Sequence, residues 1–183
     1  MQGAIGWLAR AGCVAGLAFT TGCASHIAPH TVTVSMAETM ADAAGVYPSV
    51  EVHLVALDPL DSRVFERMAV SDYFNPNRRM TRLDKHLMAF GGQKADTLIL
   101  QRNDPIWRRW DISGAADLFT LADLPGVQPA GNQLRDPRRE VVPLHRSRWW
   151  FPRKQNLKFM LDRNGIYYVG PKKYRRQQPL ENY

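Results

Sequence analysis

The feature that most constrains this chain is the shortness of its apolar runs. Val50, Val52, Leu54 and Ala56 alternate with Glu51 and His53, and Leu157, Phe159 and Leu161 alternate with Lys158, Met160 and Asp162. Val32 and Val34 alternate in the same way within Thr31–Ser35. A period of two puts every second side chain on one face, so each segment reads as a half-buried strand. Turn signals cut the runs apart. Residues 83–90 read as a strand that Gly91-Gly92 turns, with Thr97–Leu100 returning. Asp117–Ala122 is apolar enough for a central strand and ends at Leu124-Pro125-Gly126. Glu140–Leu144 is a further strand, in which Pro143 favours an edge position. Asn164-Gly165 is a strong hairpin signal, after which Ile166–Val169 returns.

Helices fit only in short insertions. Asp58-Pro59 and Asn103-Asp104-Pro105 are starts, with a side-chain cap ahead of Pro. Leu60, Val64, Phe65 and Met68 follow the first at helical spacing, and a second short turn holds Tyr73 and Phe74 before Asn75-Pro76-Asn77. Ile106, Trp107 and Trp110 follow the second start on or near one face, and Gly114 ends that helix. Ser35-Met36-Ala37-Glu38 fits a capping box, with Met36, Met40 and Ala43 or Ala44 sharing a face up to Gly45. Strands separated by turns, without regular helical crossovers, predict a mainly β protein. The expected fold is an antiparallel β-sandwich with two or three short inserted helices; a mixed α+β sheet is the alternative.

The N-terminus divides as an export signal does. Arg10 is the only charge in residues 1–22, and Ala11–Thr20 is an apolar run too short to span a bilayer. Thr20-Thr21-Gly22-Cys23 resembles a lipobox, with Thr20 where Leu is commonest. That resemblance implies cleavage before Cys23 and acyl chains on its sulfur and amine. The chain has 2 cysteines, and Cys13 would leave with the signal. A disulfide framework is therefore excluded, and a lone cysteine at the mature N-terminus finds its explanation in lipidation. One acyl chain anchors weakly and two or three anchor stably. Ala24, not aspartate, follows the cysteine; in lipoprotein sorting that implies the periplasmic face of the outer membrane, with the inner membrane as the alternative. The expected organisation is a signal peptide over 1–22, a lipidated arm with a short helix over 23–48, a β-rich domain over 49–170 and a basic tail over 171–183.

Charge is unevenly spread. The whole chain carries +7. Residues 23–77 hold two basic and seven acidic groups, whereas residues 78–183 hold 21 basic and 10 acidic ones. A basic half implies an acidic partner or surface. For an exported chain the expected classes are anionic lipid, peptidoglycan or another wall polymer, or an acidic protein face, and not nucleic acid.

No catalytic motif stands out: there is no G-x-S-x-G, H-E-x-x-H, P-loop or G-x-G-x-x-G. With Cys23 acylated, no thiol is left as a nucleophile. His26 and His30 are four apart with Pro29 between them, which breaks a helical metal pair, and both read as solvated residues on a tether. The tryptophans 107 and 110 read as core. No enzyme activity, cofactor or metal is expected. Residues 127–139 form a long loop ending in Asp136-Pro137-Arg138-Arg139, and 145–154 interleave arginine with aromatic residues. Trp and Arg dominate binding hot spots because they combine large area with directional donors. Asp136, Arg138, Arg139, Arg148, Trp149 and Trp150 are therefore the candidate partner-binding residues.

A lipobox, a short arm and a one-domain β-sandwich together resemble a known class, TssJ, the lipoprotein of the type VI secretion membrane complex. The order of features from Val50 onward is similar: an opening strand (VEVHLVAL), an insertion from Phe65 to Phe74, Trp107-Arg108, then the apolar strand DLFTLAD. The resemblance implies a sandwich that docks through a loop onto the periplasmic domain of an inner-membrane partner, TssM. The tryptophan-rich helix and the Asp-Pro-Arg-Arg loop fall outside that pattern.

Overall fold

In the computed structural model, which describes residues 26–76, 83–92, 96–124, 126–127, 136–144, 146–147 and 156–171, the alternating segments become strands and their burial follows the period. β2 (Thr31–Met36) buries Val32, Val34 and Met36 and leaves Thr31, Thr33 and Ser35 half-exposed. β9 (Asn156–Asp162) does the same with Leu157, Phe159 and Leu161. These two lie side by side, with β5 (Thr97–Leu100) beyond β2 and β10 (Gly165–Tyr168) beyond β9. The second sheet centres on β3 (Tyr47–Leu57) and β6 (Asp117–Ala122), edged by β4 (Lys85–Gly92) and β7 (Arg139–Pro143). Pro143, which cannot donate to a ladder, lies in an edge strand as expected. A two-residue pair, β1 (His26–Ile27) with β8 (Arg146–Ser147), stands apart.

The sheets pack over one core to which the first contributes Val32, Val34, Leu100, Leu157, Phe159 and Ile166, and the second Val52, Leu54, Met88, Leu118 and Val142. The outer face of the second sheet carries a smaller core. There Val55, Leu57, Phe119 and Leu121 are covered by Phe65 of α1 (Pro59–Arg67) and by Val70 and Tyr73 of α2 (Val70–Phe74). β6 is thus buried on both faces, which is why its run is mostly apolar and all six of its residues are buried without alternation. The fold is the expected sandwich with small helical insertions.

α1 starts where its cap predicts: Asp58 accepts hydrogen bonds from the amides of Leu60 and Asp61. α3 (Ile106–Ile112) starts with the Ile106 amide on Asp104 Oδ1 at 2.8 Å. Ile106, Trp107 and Trp110 enter the core between the sheets, and α3 plugs the end of the sandwich where β2 begins and β5 ends. The tryptophans meet edge to face at 5.1 Å. Their indole N–H groups donate to the carbonyls of Gln101 and Asp84, so neither polar atom is stranded.

Several expectations are corrected. β4 and β5 do not form a hairpin: β4 pairs with β3, and β5 crosses to the other sheet and pairs with β2. The β2–β9 pair is parallel within an otherwise antiparallel arrangement. The capping box at Ser35 does not form, because β2 runs on through Met36 and Ser35 Oγ bonds Thr97 Oγ1 across the strands. Only a single 3-10 turn, Glu38–Met40, follows. Helical spacing in α1 misleads too: Phe65 is buried, but Leu60 and Val64 are 75% and 72% exposed. The residues expected to form an arm before Pro48 belong to the sandwich, since β2 is hydrogen-bonded on both sides. Even 24–30 is no tether where it is described: Ile27, Ala28 and His30 are buried.

Candidate functional site

Asp136-Pro137-Arg138-Arg139 closes on itself. Pro137 presets the backbone of a turn in which the Arg139 amide donates to the Asp136 carbonyl at 3.0 Å. Asp136 Oδ1 accepts from the amide and Nε of Arg138, at 2.9 and 3.0 Å, and Oδ2 accepts from its Nη2 at 2.7 Å. This is a forked, charge-assisted pair with little water around it. Burial works to raise the Asp136 carboxyl; the hydrogen bonds and charge of Arg138, with Arg139 beyond, outweigh it and hold the group below its usual range.

Arg139 turns away from the pair toward the end of α1. Its Nη1 donates to the carbonyls of Phe65 and Met68, and its Nη2 to that of Glu66. The last carbonyls of a helix have no partner within it, and a guanidinium fork supplies several donors at once. Burial lowers the Arg139 guanidinium somewhat, opposed by Asp136 and Glu66. The turn is also wedged against the β9–β10 hairpin, because the Ile166 amide donates to the Pro137 carbonyl. Asp136, Arg138 and Arg139 therefore act inside the fold, and their donors and acceptors are used there.

Cys23, Arg148, Trp149 and Trp150 lie outside the described residues, as do most of the 127–139 loop and the tail from Lys172. Their described neighbours are informative. His26 pairs with Ser147 and Ile27 with Arg146. The point where the chain enters the fold, three residues after Cys23, is thus beside the point where it leaves toward Arg148. The distance in sequence between 26–27 and 146–147 hid this pairing.

His26 Nδ1 lies 2.7 Å from Asp111 Oδ2, at the last turn of α3, and the Ile27 amide donates to Asp111 Oδ1. His30 stacks edge-on against Trp107. Both histidines expected to be solvated are therefore engaged. His53 is a third: its Nδ1 is 2.9 Å from the Tyr73 hydroxyl, and its ring rests against Phe74. Burial lowers its pKa, aided by Lys85 and opposed by Glu51 and Asp123, so the ring is neutral at neutral pH. Strand alternation alone could have found it, as His53 shares a face with Val55 and Leu57. Among the described residues no group of three or more His, Cys, Asp or Glu side chains could hold a metal ion, and no helix is long and apolar enough to cross a membrane.

The chain resembles type VI secretion lipoproteins of solved structure. It is similar to the lipoprotein TssJ1 from Pseudomonas aeruginosa, with 14% identity and a TM-score of 0.47 over 78% of this chain and 95% of that one. It is similar to Lip from Serratia marcescens, a membrane-bound component of the type VI secretion system, with 14% identity and a TM-score of 0.47 over 77% and 96%. A third match lies in a structure of the TssM C-terminal domain from EAEC, at 13% identity and a TM-score of 0.47 over 76% and 98%. No protein-family model matches the chain, and none of the curated proteins compared with it is similar.

Proposed function

We propose that the protein is a lipid-anchored envelope adaptor, tied through Cys23 to the periplasmic face of the outer membrane. In this reading it docks a protein partner in the membrane complex of a type VI secretion system. The observation that carries it is the join between signal and fold: a lipobox-like Thr-Thr-Gly-Cys ends three residues before β1 and eight residues before β2, the first strand of the β-sandwich. Such a body needs no freedom from its anchor, and it does its work by holding a surface in place. The partner is a TssM-like inner-membrane protein. Its contact is the 127–139 loop, which the inward bonds of Asp136, Arg138 and Arg139 support; Arg148, Trp149 and Trp150 are a separate candidate contact, since they follow β8, which pairs with the entering chain at His26.

The test is a crosslinked pull-down of the tagged, lipidated protein from detergent-solubilised membranes, read by mass spectrometry. Recovery of a large inner-membrane secretion protein is expected, and its loss with Trp149→Ala at unchanged melting temperature would map the contact. Cys23→Ser is expected to abolish fatty-acid incorporation and membrane retention. Recovery of wall fragments alone, or of nothing, overturns the adaptor reading. The basic excess of residues 78–183 favours a second reading, a lipoprotein that binds cell wall or another polyanion. Its binding would weaken steeply with salt, whereas an aromatic-centred protein interface would weaken less.

A further inference from the structure

The two ends of the sandwich differ, and strand register says which features share an end. At one end are the start of β2, the end of β5, the ends of β3 and β7 and the start of β6, with Thr31 opposite Asn156, Val32 opposite Leu100, and Leu57 opposite Asp117. α3 closes this end. At the other are the end of β6, the start of β7 with its Asp136–Arg139 turn, and the β9–β10 hairpin, joined by the Ile166–Pro137 hydrogen bond.

Where the anchor must lie follows from chain length. Cys23 precedes His26 by three residues, and three residues of extended chain reach at most about 11 Å. His26 is held on the last turn of α3 through Asp111. If Cys23 carries acyl chains, the bilayer surface therefore lies within about 11 Å of His26, which is bound to the last turn of α3.

The outer face of α3 suits that neighbour. Ile112 is 76% exposed, and Arg108 and Arg109 are exposed beside it. Each acid here has a cationic or polar partner: Asp111 bonds His26 and the Ile27 amide, Asp84 pairs with Arg109 at 3.0 Å, and Asp104 lies 3.8 Å from His86. Arg108 has no ion pair among the described residues, and Arg102 bonds only the neutral Asn156 amide oxygen. Arginine stems lie along apolar surface with their guanidinium groups among phosphates, and an isoleucine between them enters the head-group boundary.

Resting on the anchor reading above, we propose that α3, through Arg108 and Ile112, lies flat on anionic lipid head groups around the acylated cysteine. This fixes the orientation of the body: the Asp136–Arg139 turn and the β9–β10 hairpin point away from the membrane, into the space where a partner stands. The lipid then sets direction as well as attachment.

The test uses the full-length lipidated protein reconstituted in vesicles of phosphatidylethanolamine and phosphatidylglycerol. Ile112→Cys and, separately, Asn164→Cys at the far hairpin carry a fluorophore, and head-group spin-labelled lipid is the quencher. Flotation with the vesicles and fatty-acid content are measured on the same samples. Quenching at 112 severalfold greater than at 164 is expected, reduced by Arg108→Glu and by replacing phosphatidylglycerol with phosphatidylcholine. Protein that floats but shows equal quenching at both positions overturns the orientation and leaves the anchor reading standing. Quenching at 112 that ignores both the charge reversal and the lipid change overturns the head-group contact. Protein that carries no fatty acid and does not float overturns the anchor reading, and the orientation with it.

Discussion

Asp111 holds two consecutive residues of the entering chain with one carboxylate: His26 Nδ1 lies 2.7 Å from Oδ2, and the Ile27 amide donates to Oδ1 at 2.8 Å. The short β1–β8 pair supplies little cohesion of its own, so this carboxylate fixes where the chain joins the body. Removing a charged acceptor from a part-buried amide costs about 1–3 kcal/mol. Asp111→Ala is expected to lower stability in urea by that order and to speed hydrogen exchange at the Ile27 amide far more than at Val52. Equal protection of Ile27 in variant and wild type would refute the role.

Arg139 is expected to behave as a structural residue. Arg139→Ala removes a donor from the carbonyls of Phe65, Glu66 and Met68 at the end of α1; that of Phe65 keeps a further bond, from the Met68 amide. A loss of about 2–4 kcal/mol is expected, as for other broken buried charge networks. Arg139→Lys should recover only part of it, because an ammonium cannot present the same fork. Urea midpoints for the two variants decide this.

Gly165 has φ +153°, and a Cβ there would stand 2.2 Å from the Pro137 carbonyl oxygen. Backbone cannot yield as a flexible side chain can. Gly165→Ala is expected to cost about 1–3 kcal/mol and to disturb the Asp136–Arg138 pair along with the hairpin. Thermal unfolding together with amide chemical shifts at Ile166 and Arg138 checks both.

Acid should weaken the fold in two stages. His53 has a folded pKa below its ordinary 6.5, so the unfolded chain binds the proton first and stability falls as pH drops below that value. Asp136 is likewise held below its ordinary 3.8, and its contribution is present above that value and lost as pH falls through the folded pKa. His53→Gln is expected to flatten the first stage and Asp136→Asn the second, in urea midpoints measured from pH 8 to pH 3. Parallel curves for wild type and variant would show that other groups carry the dependence.

The elements that local chemistry specifies were legible in the sequence. Strand alternation gave β2, β3 and β9, and Asp58 and Asp104 marked two helix starts; Asp58 caps its helix, while Pro105 takes the cap position of α3 and Asp104 accepts from the Ile106 amide. Pairing was less legible. Gly91-Gly92 reads as a turn, yet both glycines extend β4, where Gly92 lies opposite Tyr47, and nothing local says which sheet receives the next strand, which pairs with β2. Ser35-Met36-Ala37-Glu38 had two local solutions, and the strand won because burying Met36 and pairing with β5 and β9 outweigh one cap. The polar look of 24–30 concealed a segment tied down by Asp111, some 85 residues away, which only tertiary contact reveals. The exposed-looking Asp136-Pro137-Arg138-Arg139 was misleading for the same reason: three helix carbonyls far back in the chain are its partners.

The parallel pairing of β2 with β9 has a consequence for the order of assembly. Thr31 lies opposite Asn156, so a central pair of the first sheet joins the two ends of the sequence. A chain delivered N-terminus first, as across a translocation channel, presents β2 long before β9 arrives. Until then Val32 and Val34 have only β5 beside them, and the other edge of β2 stays open to any extended segment nearby. The waiting period is one in which a holding chaperone would have most to do, and in which a truncated chain would lack the strand that closes the first sheet.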